Sequence, residues 1–166
     1  MTIELKNGRL AQDGETLFAN LSLRAEGGQT CVVDNLPRKA HKPLLHALMG
    51  LLPLDEGYIS IDGEPLDERS AGWLRQFMAY VPQTLRWPDE ERFRGMSDEE
   101  VHRRLLENAA TGDSQIVFVE GIFGADDETL CRQMAQSGKA VVACRERPIA
   151  NKPSAPPLEP REGDLF

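Results

Sequence analysis

Ile3-Glu-Leu-Lys6 alternates apolar and polar residues, the period-two pattern of a half-buried strand. A second alternating run, Leu17 to Leu23, follows a turn at Asp13-Gly14, so the two runs predict a hairpin. Gly28-Gln-Thr-Cys-Val-Val33 then reads as a glycine turn feeding a short buried strand, and Leu44, Leu45, Leu48 and Leu51 recur at helical spacing. Leu52-Pro-Leu-Asp-Glu-Gly57 is expected as a loop, Tyr58-Ile-Ser-Ile61 as a strand, and Asp62-Gly63 as a hairpin turn. From Leu74 the chain returns to the core, and Ala79-Tyr-Val81 forms a strand that Pro82 ends. Ser97-Asp-Glu-Glu100 has the form of a capping box opening a helix with Val101, Leu105 and Ala109 on one face. Gln115 to Glu120 is a buried strand ending in a carboxylate. A helix from about Asp127 to Gln136, a turn at Gly138 and a core strand from Ala140 to Cys144 follow.

Composition narrows what such a chain does. At 166 residues it is one domain, or one domain plus a tail, and 40% hydrophobic residues supply a real core. A net charge of −8 argues against nucleic acid or an anionic membrane as the main partner. No apolar run approaches the roughly 18 residues of a membrane span, and Met1-Thr-Ile-Glu-Leu-Lys6 has no signal-peptide character. A cytosolic protein without direct membrane insertion is expected. Cys31, Cys131 and Cys144 lie in apolar or helical segments without CxxC spacing and read as buried thiols. The core domain is placed at residues 1–147. The Pro-rich and charged remainder, 148–166, is read as a disordered or extended tail in which Pro153-Ser-Ala-Pro-Pro157 is better taken as solvated than as a polyproline ligand.

Between the Cys31 strand and the leucine-rich helix lies Asp34 to Leu36, then Pro37-Arg38-Lys39-Ala40-His41-Lys42. A phosphate-binding loop would carry G-x-x-x-x-G-K-[ST] here, with glycines to close backbone N–H groups around phosphates, a lysine, and a hydroxyl for Mg²⁺. This loop has no glycine. Pro37 has no N–H to donate, His41 stands at the lysine position, and Lys42 puts a positive charge at the hydroxyl position, where it repels a divalent cation. Arg38, Lys39, His41 and Lys42 form a basic cluster near the start of a helix whose first turn is expected to hold Pro43. The cluster is either a weak anion site or, more plainly, a solvated basic loop.

The ordered segments ELKN, NLSL, the glycine-turn strand, LLHALMGLLPLDEGYISIDGEPL and AYVPQ resemble the first half of an ATP-binding cassette (ABC) ATPase domain over residues 3 to 83. His41 and Gln83 stand 42 positions apart, a separation typical of that family. The resemblance implies an α/β fold with a P-loop NTPase-like (RecA-like) core, an N-terminal antiparallel β portion and, over residues 84–112, a truncated helical subdomain. It makes Gln83 the Q-loop glutamine. Past Gln83 the chain departs from the family pattern. No LSGGQ-like signature is present, and Arg94-Gly95-Met96-Ser97 lacks the paired glycines. The strand ending at Glu120 resembles a Walker B strand. Counted from Asp126, Val119 takes the Mg²⁺-ligand position and Glu120 the catalytic base; counted from Asp127, Glu120 is the metal ligand and Gly121 stands at the base position. Either way one carboxylate is missing. Arg145 falls where the family has its switch histidine, and Gln12 where an adenine-stacking aromatic is usual.

Hydrolysis of this type depends on positioned phosphates, Mg²⁺, a base and a second subunit's signature. Loss of one such donor costs about 10²- to 10³-fold, and several are absent together. The resemblance therefore implies a pseudo-ATPase that partners an ABC transporter membrane subunit, a second ABC ATPase subunit, or itself, at the inner face of a membrane. The alternative is an active subunit that binds and hydrolyses ATP; a product without a selected role is a third reading. No cofactor and no metal site are expected under the first reading, and ATP with Mg²⁺ only under the second. Without a held γ-phosphate, Glu120 is expected to form a local ion pair with Lys42 or His41.

Overall fold

The computed structural model describes residues 1–84, 94–122 and 124–146. Two four-stranded sheets organise it. The first is antiparallel, in the order β2 (Glu15–Ala25), β1 (Ile3–Gln12), β4 (Glu56–Ile61), β5 (Glu64–Pro65). Its hairpins turn on Asp13-Gly14 and Asp62-Gly63, each with positive φ at both residues, the conformation a two-residue turn between twisted strands demands. Gly57 is required for a second reason. It has a φ of +89°, and a Cβ there would lie 2.5 Å from the carbonyl oxygens of Lys6 and Asn7.

The second sheet is wholly parallel, in the order β3 (Thr30–Val33), β8 (Ala140–Cys144), β7 (Ile116–Glu120), β6 (Met78–Val81). These are the four strands expected around Cys31, Tyr80, Val117 and Val142. They read as continuous apolar runs because both faces are covered. Ile116, Phe118, Ala140, Val142 and Cys144 face a core shared with the antiparallel sheet and with α1 (Arg38–Leu48). Val117, Val119, Val141 and Ala143 face the other way, against α3 (Asp98–Thr111) and α4 (Ala125–Gln136). The chain steps from β6 to β7 to β8 through α3 and α4 in one direction across the sheet, so crossovers of one hand put both helices on one face. A short helix α2 (Ala71–Leu74) and a 3₁₀ turn precede β6.

Local signals account for the helix ends. Ser97 and Glu100 form the expected capping box at α3. The buried face of that helix is Val101, His102, Leu106 and Ala109; Leu105, expected in it, is only half-buried. At the end of α1, the Gly50 N–H bonds the Ala47 carbonyl and the Leu51 N–H the His46 carbonyl, a Schellman closure with Gly50 at φ +77°. That closure turns Leu51 out of the helix, and it is exposed rather than part of the apolar stripe with the buried Leu44, Leu45 and Leu48. All three cysteines are buried thiols, as expected. The expected Pro-rich tail and the proposed polyproline motif lie outside the described residues, as does the 85–93 part of the reduced helical segment.

Candidate functional site

Parallel strands deliver the residues that follow them to one edge of the sheet, the usual place for a site in an open α/β fold. Here that edge carries Asp34 after β3, Gln83 after β6, Gly121 after β7, and Arg145 and Glu146 after β8, with the start of α1 above them. Arg38, His41, Gln83, Gly121, Ile122 and Glu146 line a cavity of about 320 Å³ there. Of the residues singled out in the sequence, Arg38, His41 and Gln83 are among this lining. Its internal arrangement differs from the expectation in several ways.

The first difference is the helix start. α1 begins at Arg38 behind Pro37, so Pro43 sits inside the helix rather than in its first turn. Only residues 34–37 connect β3 to α1. Every residue of the connection carries a Cβ, and the Ala40 N–H already bonds the Pro37 carbonyl. Without glycines to hold an open nest of N–H groups, the would-be loop has been taken into the helix.

The second difference follows from the first: residues on consecutive helical positions diverge, so the basic cluster is not a cluster in space. Lys39 is exposed and pairs with Glu15 on β2. Arg38 donates from Nε to the Gln83 side-chain oxygen at 3.2 Å. Lys42 lies near His46, whose pKa is lowered first by burial and then by the Lys42 charge. His41 is only 1% exposed, and its Nε2 lies 3.2 Å from the Leu36 carbonyl. A carbonyl only accepts, so Nε2 carries the proton. Burial lowers the pKa of His41 against the opposing effects of the Leu36 carbonyl and of Glu120 and Glu146. His41 is thus a neutral, inward-facing group at neutral pH and adds no charge to an anion site.

Glu120 is half-buried at the end of β7 on the α1 side, while Val119 beside it is buried on the opposite face. The expected ion pair of Glu120 with Lys42 or His41 is not what forms. Its Oε2 accepts from the Tyr80 hydroxyl at 2.5 Å and from the Gln83 N–H at 3.3 Å. These contacts arise because β6 and β7 are paired in register, Tyr80 opposite Phe118 and Val81 opposite Val119. Burial, then the Glu120 carboxylate, raises the Tyr80 pKa far above its ordinary 10.0, so the phenol stays a donor. Its ring meets His46 edge-on at 5.6 Å. Arg38, Gln83, Glu120, Tyr80 and His46 form a continuous chain of contacts across the sheet edge.

Two further groups border the site. Arg145 bridges Asp34 at 3.5 Å and Glu128 at 3.2 Å, tying the ends of β3 and β8 to α4. Asp127 is buried with its Oδ2 3.6 Å from His102 Nε2, and His102 Nδ1 lies 2.9 Å from the Pro82 carbonyl next to Gln83. Asp126 is exposed, 3.6 Å from Arg103. Gln12 is exposed at the end of β1. Sequence reasoning missed His102, although its spacing to Leu106 and Ala109 puts it on the buried face. It also missed Tyr80 and Glu146 as site residues. Among the described residues, no group of three or more His, Cys, Asp or Glu could hold a metal ion, and no helix is long and apolar enough to cross a membrane.

Neither a family model nor any curated protein matches the sequence. Solved structures do match the fold. An ATP-binding subunit of an ABC transporter superposes with a TM-score of 0.66 at 13% identity, over 88% of this chain and 80% of that one. The cbiO1 protein from Clostridium perfringens, part of the ABC transporter complex cbiONQ, gives 0.65 at 11%, over 87% and 78%. A putative ABC transporter ATP-binding protein from Pyrococcus furiosus gives 0.65 at 11%, over 91% and 94%. The chain has an ABC ATPase-like, P-loop NTPase-type α/β fold, as the ordered segments up to Gln83 implied.

Proposed function

We propose that this chain is a pseudo-ATPase: an ABC-type subunit that no longer hydrolyses ATP and acts as a binding or regulatory partner of a transporter or of another ABC subunit. One observation carries the reading. The connection between β3 and α1 is four residues without glycine, closed by a helix that starts at Arg38 and by the buried, neutral His41. Such a connection presents no nest of N–H groups to a phosphate and no cation at the lysine position. Glu120 supports the same reading, because two hydrogen bonds from the protein already occupy the carboxylate oxygen Oε2. In this role the protein sits at the inner face of a membrane through its partner, a reading supported by fold neighbours described as an ATP-binding subunit of an ABC transporter and as part of an ABC transporter complex.

The test has two parts. Calorimetric titration with Mg²⁺-ATP should give no binding tighter than high micromolar, and affinity purification from the source cell should bring down a transporter subunit or a second ABC subunit. A micromolar dissociation constant that requires Mg²⁺, with turnover, would establish the alternative of an active ATP-hydrolysing subunit.

A further inference from the structure

Among the described residues three large hydrophobic side chains are exposed, Leu51, Tyr58 and Trp73, and two of them line one groove. The groove, about 500 Å³ in volume, lies between the β4–β5 hairpin and the end of α1 with the loop that follows it. Leu51, Leu54, Tyr58 and Leu66 supply much of its apolar lining, and Asp67 and Glu68 its charge. Trp73 is on α2, whose Ala71 lies against Gly50, a further lining residue. One exposed leucine needs no explanation, but apolar side chains gathered around a concavity mark a surface that a partner covers.

The walls are already held in place. The closure at Gly50 turns Leu51 out of the helix, and Arg75 donates from Nη1 to the Met49 carbonyl at 3.3 Å. The Leu66 N–H bonds the Ile59 carbonyl at 2.8 Å, and Asp67 Oδ1 accepts from the Arg69 and Ser70 N–H groups at 2.8 and 3.0 Å. A preformed groove costs little ordering when it is filled.

Charge selects the occupant. Every lining residue comes from the stretch 47–68, which carries Asp55, Glu56, Asp62, Glu64, Asp67 and Glu68 and no Lys, Arg or His. Of the cations on adjoining elements, Arg9 reaches Thr16 and Arg75 the end of α1, which leaves Arg69 beside Glu68. A second copy docked by the same patch would set this acidic rim against itself. Residues 147–166 balance Arg147, Lys152 and Arg161 with Glu159, Glu162 and Asp164, so they gain nothing from it. An anionic lipid surface is repelled. A protein segment that joins apolar anchors to basic residues matches both the lining and the rim, and an amphipathic helix presents such anchors at i and i+4.

We propose that this groove docks a basic amphipathic segment of a partner protein, its apolar side chains against Leu51, Leu54 and Tyr58 and its Lys or Arg residues against Glu68 and the neighbouring carboxylates. The proposal stands apart from the loss of nucleotide chemistry, because α1 is 11 residues long and puts the groove roughly 16 Å from the helix start at the strand-end cavity. Fluorescence anisotropy on the full chain tests it with a labelled Leu/Lys peptide of about four turns, leucines at i, i+3, i+4 and i+7. One counterpart has Glu for every Lys, and another has Ser for every Leu. The Leu/Lys peptide should bind, and each counterpart at least about tenfold more weakly. Leu51→Ser and Glu68→Lys, both at exposed positions, should each weaken binding about tenfold with an unchanged circular dichroism spectrum. Glu107→Lys, the same charge change at an exposed position of α3, should leave it within about twofold. Absence of binding overturns the proposal, as does equal binding of either counterpart, binding that survives both groove substitutions, or an equal loss in Glu107→Lys. A dimer in sedimentation that Leu51→Ser dissociates would assign the groove to a second copy, and competition by a synthetic peptide of residues 147–166 would assign it to the chain itself; either result also overturns it. Mg²⁺-dependent ATP binding would instead overturn the pseudo-ATPase reading and leaves these outcomes untouched, so the two failures are distinguishable.

Discussion

Replacing Glu120 by Gln separates an enzyme from a structural carboxylate, and the contacts set the size of the effect. In the native protein, Oε2 accepts from a phenol at 2.5 Å and from the Gln83 backbone N–H at 3.3 Å in a half-buried setting. A hydrogen bond to a charged group is worth about 1.5–3 kcal/mol. Gln keeps one acceptor oxygen but loses the charge, so Glu120→Gln should cost about 1–2 kcal/mol. Tyr80→Phe removes the donor and should cost about 1.5 kcal/mol. Because the two residues share one bond, the double mutant should be less destabilised than the sum, with a coupling of about 1 kcal/mol. Urea denaturation of the four proteins at neutral pH measures this cycle, and phosphate release is followed on the same samples. Background release should be equal in all four. Additivity within ~0.3 kcal/mol would show that the Tyr80–Glu120 contact is not an energetic link. Loss of a measurable ATP turnover in Glu120→Gln, with the fold intact, would show that Glu120 is catalytic.

Two other outcomes follow from the same structure. His41 and His46 both have pKa values lowered below 6.5, burial being the larger cause. The unfolded chain therefore binds more protons in mild acid, and stability should be fully present above about pH 6.5 and fall as the pH drops below it; His41→Gln should flatten that slope, and an unchanged slope would contradict the neutral, buried assignment. Gly57→Ala should destabilise by roughly 2–4 kcal/mol, combining positive-φ strain with a clash against backbone carbonyls, whereas Gly14→Ala, with open space around it, should cost about 1 kcal/mol by thermal melting.

The frame was legible in the sequence where local chemistry and tertiary demand agree. Apolar runs, the Asp-Gly turns and the Ser97 box each state one conformation, whereas the leucine spacing reads through the Gly50 stop and counts Leu51 into the helical stripe. The start of α1 was not legible in the same way. Pro43 satisfies a first-turn rule, but Pro37 satisfies the competing rule of an extended residue just before a helix, with φ −64° and ψ 152°. Once Arg38 to Lys42 are helical, their directions are set by the helix, and four basic letters within five positions end in four different environments. Partners across strands were the other hidden layer. That Glu120 meets Tyr80 rather than Lys42 depends on the β6–β7 register, which no local pattern encodes.

The place of β3 at the edge of the parallel sheet has a consequence for the order in which the molecule can assemble. β6 pairs with β7 and β7 with β8, each the next strand along the chain, and the β1–β2 hairpin closes over two residues. β3 has no such neighbour: Thr30 pairs with Val141, 111 positions later (141 − 30). Closing so long a loop is entropically costly before any contact rewards it. During synthesis the strand that leads into α1 must therefore wait, apolar and unpaired, until Ala140–Cys144 has left the ribosome. The strand edge at greatest risk of mispairing in the nascent chain is the one that carries the altered loop.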